Sequence, residues 1–425
     1  MKKLLILAYY FPPLGMGGTQ RIAKFVKFLP EFGWTPHVVT VKEVAYYAED
    51  RSLLEDVKGA RVRRTGSLDP ARVLERLRGR RKLAETKHLL PSQRGLLSRL
   101  AAWLFVPDAK VLWQPFALAA ARRVIKTEGV DCLLTTGPPH SAHLTGGLLK
   151  RLTGLPWVAD FRDGWAGGNF QSEPTRLHGF LNQALERRVV RQADRIVAVS
   201  PGLAQRLQHR RRLPASRVRV VTNGFDPDDF PASPKAAGPR FTLAYCGTVS
   251  AIAPLDSLLS ALASLLASRP ELRDKMTLRI VGLDLTGALV SKARALGLAE
   301  LVQVAGYVEH RAAVRELAAA DLLLYPVAEW ASADFIPGKT FEYLASGKPV
   351  LAIGPRVEGV ELLQQFASAS VFSHGQVEEI AEAIWRFYSA FQTQPRSADA
   401  DLARLSAFDR RTLTASLAEL LDEIS

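Results

Sequence analysis

The stretch LLILAYYFPPLGMGGTQRIAKFVKFLPEFGWTPHVVTV, residues 4–41, decides how the rest of the chain is read. It opens with an unbroken apolar run, LLILAYY, which breaks at a loop of prolines and glycines. A helical pattern follows from Arg21 to Phe32, with Ile22, Phe25, Val26 and Leu29 on one face. Gly33 stops it, and HVVTV at 37–41 is a second apolar run. Strand, helix and strand in this order make one unit of a parallel sheet covered on both faces.

The unit recurs along the chain. ARVRRTG at 60–66 alternates like a third strand, and residues 72–128 read as mostly helical. CLLTTG, PWVADF, RIVAVS and VRVVTNG add four buried strands, most of them separated by helices. Segment 226–240, DPDDFPASPKAAGPR, has four prolines and no apolar period, and reads as a linker. Then the alternation restarts: FTLAYCG, a helix from Asp256 to Ser268, TLRIVG, a helix through 287–296, VQVAGYV, a helix at 311–319, and DLLLYPV. A helix from Lys339 to Ala345, ended by Gly347, leads into PVLAIG. The expected fold is α/β, two Rossmann-like doubly wound domains facing a central cleft, where ligands of such sheets bind. The domains are expected at 1–228 and 229–404, with the helical stretch 405–425 packing back on the first.

Length and composition agree with two large domains: 425 residues at about 150 per domain, with 48% hydrophobic and 23% charged residues. MKKLLILAYYFPP is read as a buried strand rather than a leader, because it is short and meets Pro12-Pro13 without a small-residue cleavage site. No run of about 18 apolar residues offers a membrane span. Cys132 and Cys246 stand far apart, which argues against a disulfide framework or a CxxC metal site and fits a reducing, cytoplasmic setting. The net charge of +14 implies attraction to phosphate in nucleic acid, lipid or a small molecule, unless it reflects an arginine-rich surface alone.

Two loops carry chemistry. After the first strand, Gly15, Gly17 and Gly18 let the backbone approach a ligand and open a helix whose N–H groups favour an anion. A dinucleotide fingerprint would need G-x-G-x-x-G and an acid ending the next strand. Position 20 is Gln and the second strand ends Thr40-Val41-Lys42, so a phosphate- or sugar-facing loop, or a plain tight turn, remains. The second is the segment 334–350, DFIPGKTFEYLASGKPV. Gly338-Lys339-Thr340 looks like the end of a P-loop, but the required earlier glycine is Ala333, which excludes that ATPase motif. What remains is a Pro-Gly turn that starts a helix, with free N–H groups and Lys339 beside them for a phosphate. Glu342, one turn in, is placed to accept hydrogen bonds from vicinal hydroxyls such as those of a ribose.

The D-x7-E spacing from Asp334 to Glu342, followed by YLASGKPV, resembles the E-x7-E region of the GT-B retaining glycosyltransferases of family 4. The loop FPPLGMGGTQR, Asn223-Gly224-Phe225-Asp226, Tyr245-Cys246-Gly247-Thr248 and Gly306-Tyr307-Val308 extend the resemblance over nearly the whole chain. It implies a nucleotide-sugar donor in the C-terminal half, an acceptor on the N-terminal half, and no metal or other cofactor. By position it gives Glu342 the ribose and Gly338, Lys339 and Thr340 the diphosphate. It places Gly306, Tyr307 and Val308 at the base, Asp334 at the sugar hydroxyls in the catalytic region, and Gly17 and Gly18 at the diphosphate. The chain departs from the family in three places. Asp334 is one methylene shorter than the usual Glu; Thr248-Val249-Ser250-Ala251-Ile252-Ala253-Pro254 lacks the common Arg and Lys pair; and Arg162 stands where many members have His. Lys339 is therefore the candidate to balance the diphosphate.

Asp160-Phe161-Arg162-Asp163 follows a strand and offers carboxylates for orienting or deprotonating an acceptor. Asp163 is the candidate catalytic contact to the acceptor, Arg162 a catalytic phosphate contact, and Asp160 an acceptor contact, against an internal Asp–Arg brace of the loop. His140 and His143 in TTGPPHSAH are further acceptor-binding candidates, although a lone histidine is more often structural. Arg72, Arg76, Arg78, Arg80, Arg81 and Lys82 precede Leu96, Leu97, Leu100, Trp103, Leu104 and Phe105, with Trp113 and Phe116 nearby. Basic residues beside exposed aromatics suit the inner, anionic face of the cytoplasmic membrane, unless those aromatics pack on the sheet. No strand platform of stacking aromatics supports nucleic acid. The expected activity is retaining transfer of a sugar to a surface-glycan or lipid-linked acceptor; the alternative is a nucleotide-sugar or glycan-binding protein without turnover.

Overall fold

The computed structural model describes residues 1–42, 48–70, 72–73, 103–171, 173–231, 238–393 and 403–425. The described residues form two compact units, one running to Gly224 and including Arg410–Ser425, the other Phe225–Asp409. The first is built on strands β1 (Lys2–Leu7), β2 (Trp34–Val41), β3 (Arg61–Thr65), β4 (Cys132–Gly137), β5 (Trp157–Phe161), β6 (Arg195–Ala198) and β7 (Val218–Val220). The second has β8 (Phe241–Cys246), β9 (Met276–Val281), β10 (Val302–Gly306), β11 (Leu322–Pro326), β12 (Val350–Ile353) and β13 (Ala369–Phe372). Helices of eight or more residues are α1 (Gly17–Phe28), α2 (Gln114–Glu128), α3 (Ser141–Thr153), α4 (Arg176–Gln192), α5 (Pro201–Arg211), α6 (Asp256–Ser268), α7 (His310–Ala319), α8 (Lys339–Ser346), α9 (Glu358–Phe366), α10 (Val377–Thr393) and α11 (Arg410–Asp422).

Both sheets are parallel throughout, in the orders β3-β2-β1-β4-β5-β6-β7 and β10-β9-β8-β11-β12-β13. In each, the chain leaves the first strand in one direction and returns to its other side, so each sheet has a switch point, at β1/β4 and at β8/β11. The loops after these strands gather at one edge, which is where the candidate residues fall.

The apolar runs are continuous because both faces of each sheet are covered. In the first unit, Leu5 and Leu7 join Val39, Leu133, Trp157 and Trp113 on one side. Their neighbours Leu4 and Ile6 join Val38, Leu134 and Val158 on the other, under Ile22 and Phe25 of α1 and Leu413, Leu417 and Leu421 of α11. In the second unit the same alternation sends Leu243 and Tyr245 to one core and Ala244 and Cys246 to the other.

Helix α1 begins at Gly17, four residues before the position expected at Arg21, and its last stretch, Leu29–Phe32, tightens into a 3-10 turn. Met16, at φ 80°, takes the left-handed conformation before the helix, while Gly17 and Gly18 are its first residues. The aromatics expected near a membrane divide. Trp113 is buried and donates to Thr65 Oγ1 at 2.7 Å, and Phe116 packs on the same core, as the sheet-packing alternative held. Arg72 is buried too: its Nε donates to the Tyr9 hydroxyl at 2.9 Å, so it offers no charge to a surface. Arg76, Arg78, Arg80, Arg81, Lys82, Leu96, Leu97 and Leu100 lie outside the described residues. Trp103 and Leu104 are exposed.

Candidate donor and acceptor sites

In the second unit, α8 is short and strongly two-sided. Pro337-Gly338 turn the chain into it, no side chain caps its start, and Gly347 at φ 65° ends it. Thr340, Phe341, Tyr343 and Leu344 are buried, which points Lys339 and Glu342 toward the same partly open flank. The Lys339 ammonium lies 3.8 Å from the Tyr245 ring centre, 5.5 Å from that of Tyr325 and 5.9 Å from that of Tyr343. Three electron-rich faces hold the cation, while among the described residues no carboxylate lies within ion-pair distance of it. Burial pushes its pKa down to about 7, against weaker opposing pulls from Cys246 and Glu342.

The cage is rigid. Tyr325 and Thr340 share a hydroxyl hydrogen bond of 2.7 Å, Tyr343 donates to Leu324 O at 3.1 Å, and Tyr245 donates to Thr248 O at 2.9 Å. A Cβ built on Gly247 would stand 3.5 Å from the Lys339 nitrogen, so the ammonium abuts the loop where the family resemblance leads one to look for an Arg and Lys pair. Burial raises the neighbouring Cys246 thiol to about 12, keeping it a neutral wall.

Glu342 has a neighbour that sequence reasoning missed. Its Oε1 lies 3.7 Å from His310 Nδ1 at the start of α7, and His310 Nε2 is 3.0 Å from Asp229 Oδ2. Asp229 also meets Arg311 Nε at 3.4 Å. His310 thus stands between two carboxylates, hydrogen-bonded to Asp229 and within ion-pair distance of Glu342. The only signal in the sequence was His310 opening a helix three residues after Tyr307, and 81 residues separate it from Asp229. Gly306, at φ 72°, ends β10, and Tyr307 and Val308 lead into α7. Asp334 stands in the loop between β11 and α8. The structure therefore brings Gly306, Tyr307, Val308, Asp334, Gly338, Lys339, Thr340 and Glu342 to the carboxyl edge of one sheet.

In the first unit, Gly17 and Gly18 are exposed at the start of α1, which has no side-chain cap and no acid in its first turn. A Cβ on Gly17 would meet nothing within 4 Å, which leaves the backbone open to a ligand. A Cβ on Gly18 would sit 2.8 Å from Arg162 Nη1, because that guanidinium passes beneath it.

Arg162 is not a phosphate ligand here. Its Nε donates to Gly137 O at 3.3 Å, and its two terminal nitrogens donate to Gly18 O and Pro138 O. It ties the loops after β1, β4 and β5 together, which is the internal bracing alternative with carbonyls as partners. Asp160 is likewise committed: it is buried, Arg21 Nη2 donates to its Oδ1 at 2.8 Å, and Thr136 donates to its Oδ2 at 2.8 Å. Arg21 continues to Thr222 O and Val221 O, so the pair locks α1 to the end of the sheet. The buried ion pair also explains why Asp160 remains charged, Arg21 holding its pKa below the carboxylate range against burial.

His140 and His143 are buried, as the structural alternative held. His140 stacks on Trp165 at 4.9 Å, and His143 stacks on Phe161 at 4.7 Å with its Nδ1 2.8 Å from Thr135 Oγ1. Burial lowers both, His143 to about 3, so both imidazoles are neutral parts of an aromatic core. Asp163, next in the loop, is half-buried; burial lowers the Arg162 pKa, and the Asp163 carboxylate pulls against that shift. Among the described residues there is no group of three or more His, Cys, Asp or Glu side chains that could hold a metal, and no helix long and apolar enough to cross a membrane.

Comparison with known proteins agrees with this geometry. Residues 16–229 match the family model described as Glycosyltransferase Family 4, and residues 240–390 match that of Glycosyl transferases group 1. A D-inositol 3-phosphate glycosyltransferase of Thermobispora bispora is 33% identical over 159 residues, which span 33% of this chain and 36% of that relative. Its counterpart from Geodermatophilus obscurus is 30% identical over 155 residues, 33% of this chain and 34% of its own length. The match thus covers about a third of these curated relatives. Anabaena HepE, solved with UDP-glucose, superposes with a TM-score of 0.66 over 100% of both chains at 18% identity, a likeness of fold. With half of its length matching that family's model and both sheets in the arrangement of its solved neighbours, the chain belongs to glycosyltransferase family 4 and has the GT-B fold.

Proposed function

We propose that this protein transfers a sugar from a nucleotide-sugar donor to a surface-glycan or lipid-linked acceptor, with retention at the anomeric carbon. The observation that carries the reading is the α8 flank, with an ammonium and a carboxylate three residues apart at a helix start. The Lys339 ammonium and the first N–H groups of α8 stabilise charge on the leaving diphosphate, the largest electrostatic demand of such a step. Glu342, held by His310, accepts from the ribose hydroxyls. Asp334 contacts the sugar hydroxyls, and Gly306, Tyr307 and Val308 line the base. Gly17 and Gly18 present open N–H groups to an anion, and Asp163 orients the acceptor hydroxyl. Retention follows if that hydroxyl attacks from the face the diphosphate leaves.

A solved neighbour carries UDP-glucose in one structure and UDP in another, which makes a uridine diphosphate sugar the first donor to try. The reaction needs no metal in this reading, because Lys339 and the helix start supply the positive charge. The protein works in the cytoplasm, at the inner face of an anionic membrane when its acceptor is lipid-linked.

A binding protein without turnover is the reading favoured by the base-free segment Thr248–Pro254. The position of Lys339 against Gly247 supports the transfer reading, because it puts an amine beside that loop. A thermal-shift panel of UDP-, GDP- and ADP-sugars identifies the donor, with about 2.7 kcal/mol of stabilisation at a hundred times the dissociation constant. Release of nucleoside diphosphate on addition of acceptor glycans then separates transfer from binding. Stabilisation without release under any acceptor would leave only the binding reading.

A further inference from the structure

Helix α4 is two-sided, with one face buried and the other exposed. His178, Asn182, Glu186, Val189 and Val190 form its buried stripe, and Glu186 turns inward to accept from Ala166 N at 2.8 Å. The opposite face begins with Leu177 and Phe180, 62% and 67% exposed, and ends in Arg187, Arg188 and Arg191. Arg176 joins them at the start, which gives four outward arginines. None of the four pairs with a carboxylate among the described residues. Trp103 and Leu104, 57% and 72% exposed, abut the first turn: the Trp103 carbonyl lies 3.1 Å from His178 Nε2, and its ring meets the imidazole edge-on at 5.8 Å.

We propose that the outward face of α4, with Trp103 and Leu104, is the surface on which this chain seats itself on an anionic lipid bilayer. The proposal rests on the reading of the acceptor as lipid-linked. A helix with large apolar and aromatic residues beside a purely cationic stretch lies in the plane of an interface, rings and leucines in the acyl boundary and guanidiniums among phosphates. A protein partner would normally find carboxylates as well as cations to set its register, and among the described residues the outward positions of α4 itself carry none. A second copy would bring four arginines against four. Position agrees with the purpose. α4 follows the loop after β5 and returns to the start of β6, so its apolar first turns lie at the sheet edge that carries Gly17, Gly18 and Asp163. A bilayer on this face meets the acceptor side of the unit.

The test is flotation of the full chain with vesicles of phosphatidylcholine alone and of phosphatidylcholine mixed with phosphatidylglycerol, at low and raised salt. The protein should float with the anionic vesicles only, and less so in salt. Arg187→Gln with Arg188→Gln should weaken partitioning by roughly 30-fold, and Leu177→Ser with Phe180→Ser should abolish it with all arginines retained. Both double variants alter exposed residues and should keep the unmodified unfolding temperature and the unmodified stabilisation by UDP-glucose. Flotation that survives both pairs of substitutions overturns the proposal. So does self-association in solution that the same substitutions abolish, which would make the face a contact between copies. Donor binding is read separately: vesicle binding with no nucleotide-sugar stabilisation at all would sink the proposed function and leave this surface standing.

Discussion

Lys339 sets up a prediction that can be worked through. Its ammonium sits in a tyrosine cage with no carboxylate of the described residues at ion-pair distance, and burial brings its pKa down to about 7. With that value the free protein carries the charge in about nine molecules of ten at pH 6 and about one of ten at pH 8. A nucleotide-sugar diphosphate is a diester and keeps about two negative charges across this range, so the ligand does not titrate with the protein. If only the charged lysine binds it well, affinity for UDP-glucose falls about tenfold between those two pH values, or about 1.4 kcal/mol. The bound diphosphate raises the lysine pKa, so binding near neutrality takes up about half a proton per site. Titration calorimetry in buffers of different ionisation enthalpy reads both quantities.

Lys339→Met supplies the control. It should lose about 10- to 100-fold in affinity, the worth of a charge-assisted contact, and its remaining binding should no longer vary with pH. The stability sign is opposite. Unfolding returns the lysine from about 7 to its ordinary 10.5, so between those values the unfolded chain binds more protons and stability rises with pH. Removing the buried amine therefore leaves the unliganded protein at least as stable near neutrality. UDP-glucose affinity that is flat with pH, or a pH dependence that persists in Lys339→Met, would refute the assignment of the diphosphate to this side chain.

Glu342→Gln should raise KM for the donor by roughly 10- to 100-fold, and His310→Asn by several-fold with kcat nearly unchanged; combining the two should cost less than the sum of their effects, because His310 acts through Glu342. Gly18→Ala brings a methyl to 2.8 Å from Arg162 Nη1, so the loop must shift; a loss of about 1–3 kcal/mol in denaturant unfolding is expected, and Gly17→Ala, with open space around it, should be milder. Arg21→Met leaves the Asp160 carboxylate buried with its main counter-charge gone and should cost about 3–5 kcal/mol, most of it recovered by adding Asp160→Asn.

The architecture was readable because a parallel sheet covered on both faces forces runs such as LLIL to be apolar at every position. The segment around Lys339 was readable for a similar reason: Pro, Gly, Lys and Glu at a helix start are a local device, and local spacing carries it. The helix α9, the edge strand β13 and helix α10 went unread. β13, ASVF, is short and only half-buried, although Ile380, Ile384 and Tyr388 of α10 do repeat every fourth residue. The roles of Asp160 and Arg162 were misread because their partners are distant in the chain. Arg21 lies 139 residues from Asp160, and the acceptors of Arg162 are carbonyls, which every residue has and no sequence marks. His140 and His143 look like ligands in a line of letters; only packing shows Trp165 and Phe161 against their rings.

If Lys339 holds the donor as proposed, one caged lysine grips it differently from an exposed basic pair. Two exposed cations would stay charged at any working pH and would bind any polyanion that reached them. A lysine ringed by Tyr245, Tyr325 and Tyr343 has lost most of its water, so it is expensive to keep charged until an anion arrives. A paired carboxylate would have kept it charged but also neutralised it toward the ligand. The aromatic faces stabilise the cation without cancelling its field. In the proposed reading the free lysine is about half charged near neutrality and would become fully cationic as a diphosphate enters. His310, at the start of α7 between Asp229 and Glu342, stands where it would steady the carboxylate proposed to accept from the ribose hydroxyls. A chain with a net charge of +14 has many cations to offer an anion at its surface, and in the proposed reading discrimination comes from the one ringed by Tyr245, Tyr325 and Tyr343.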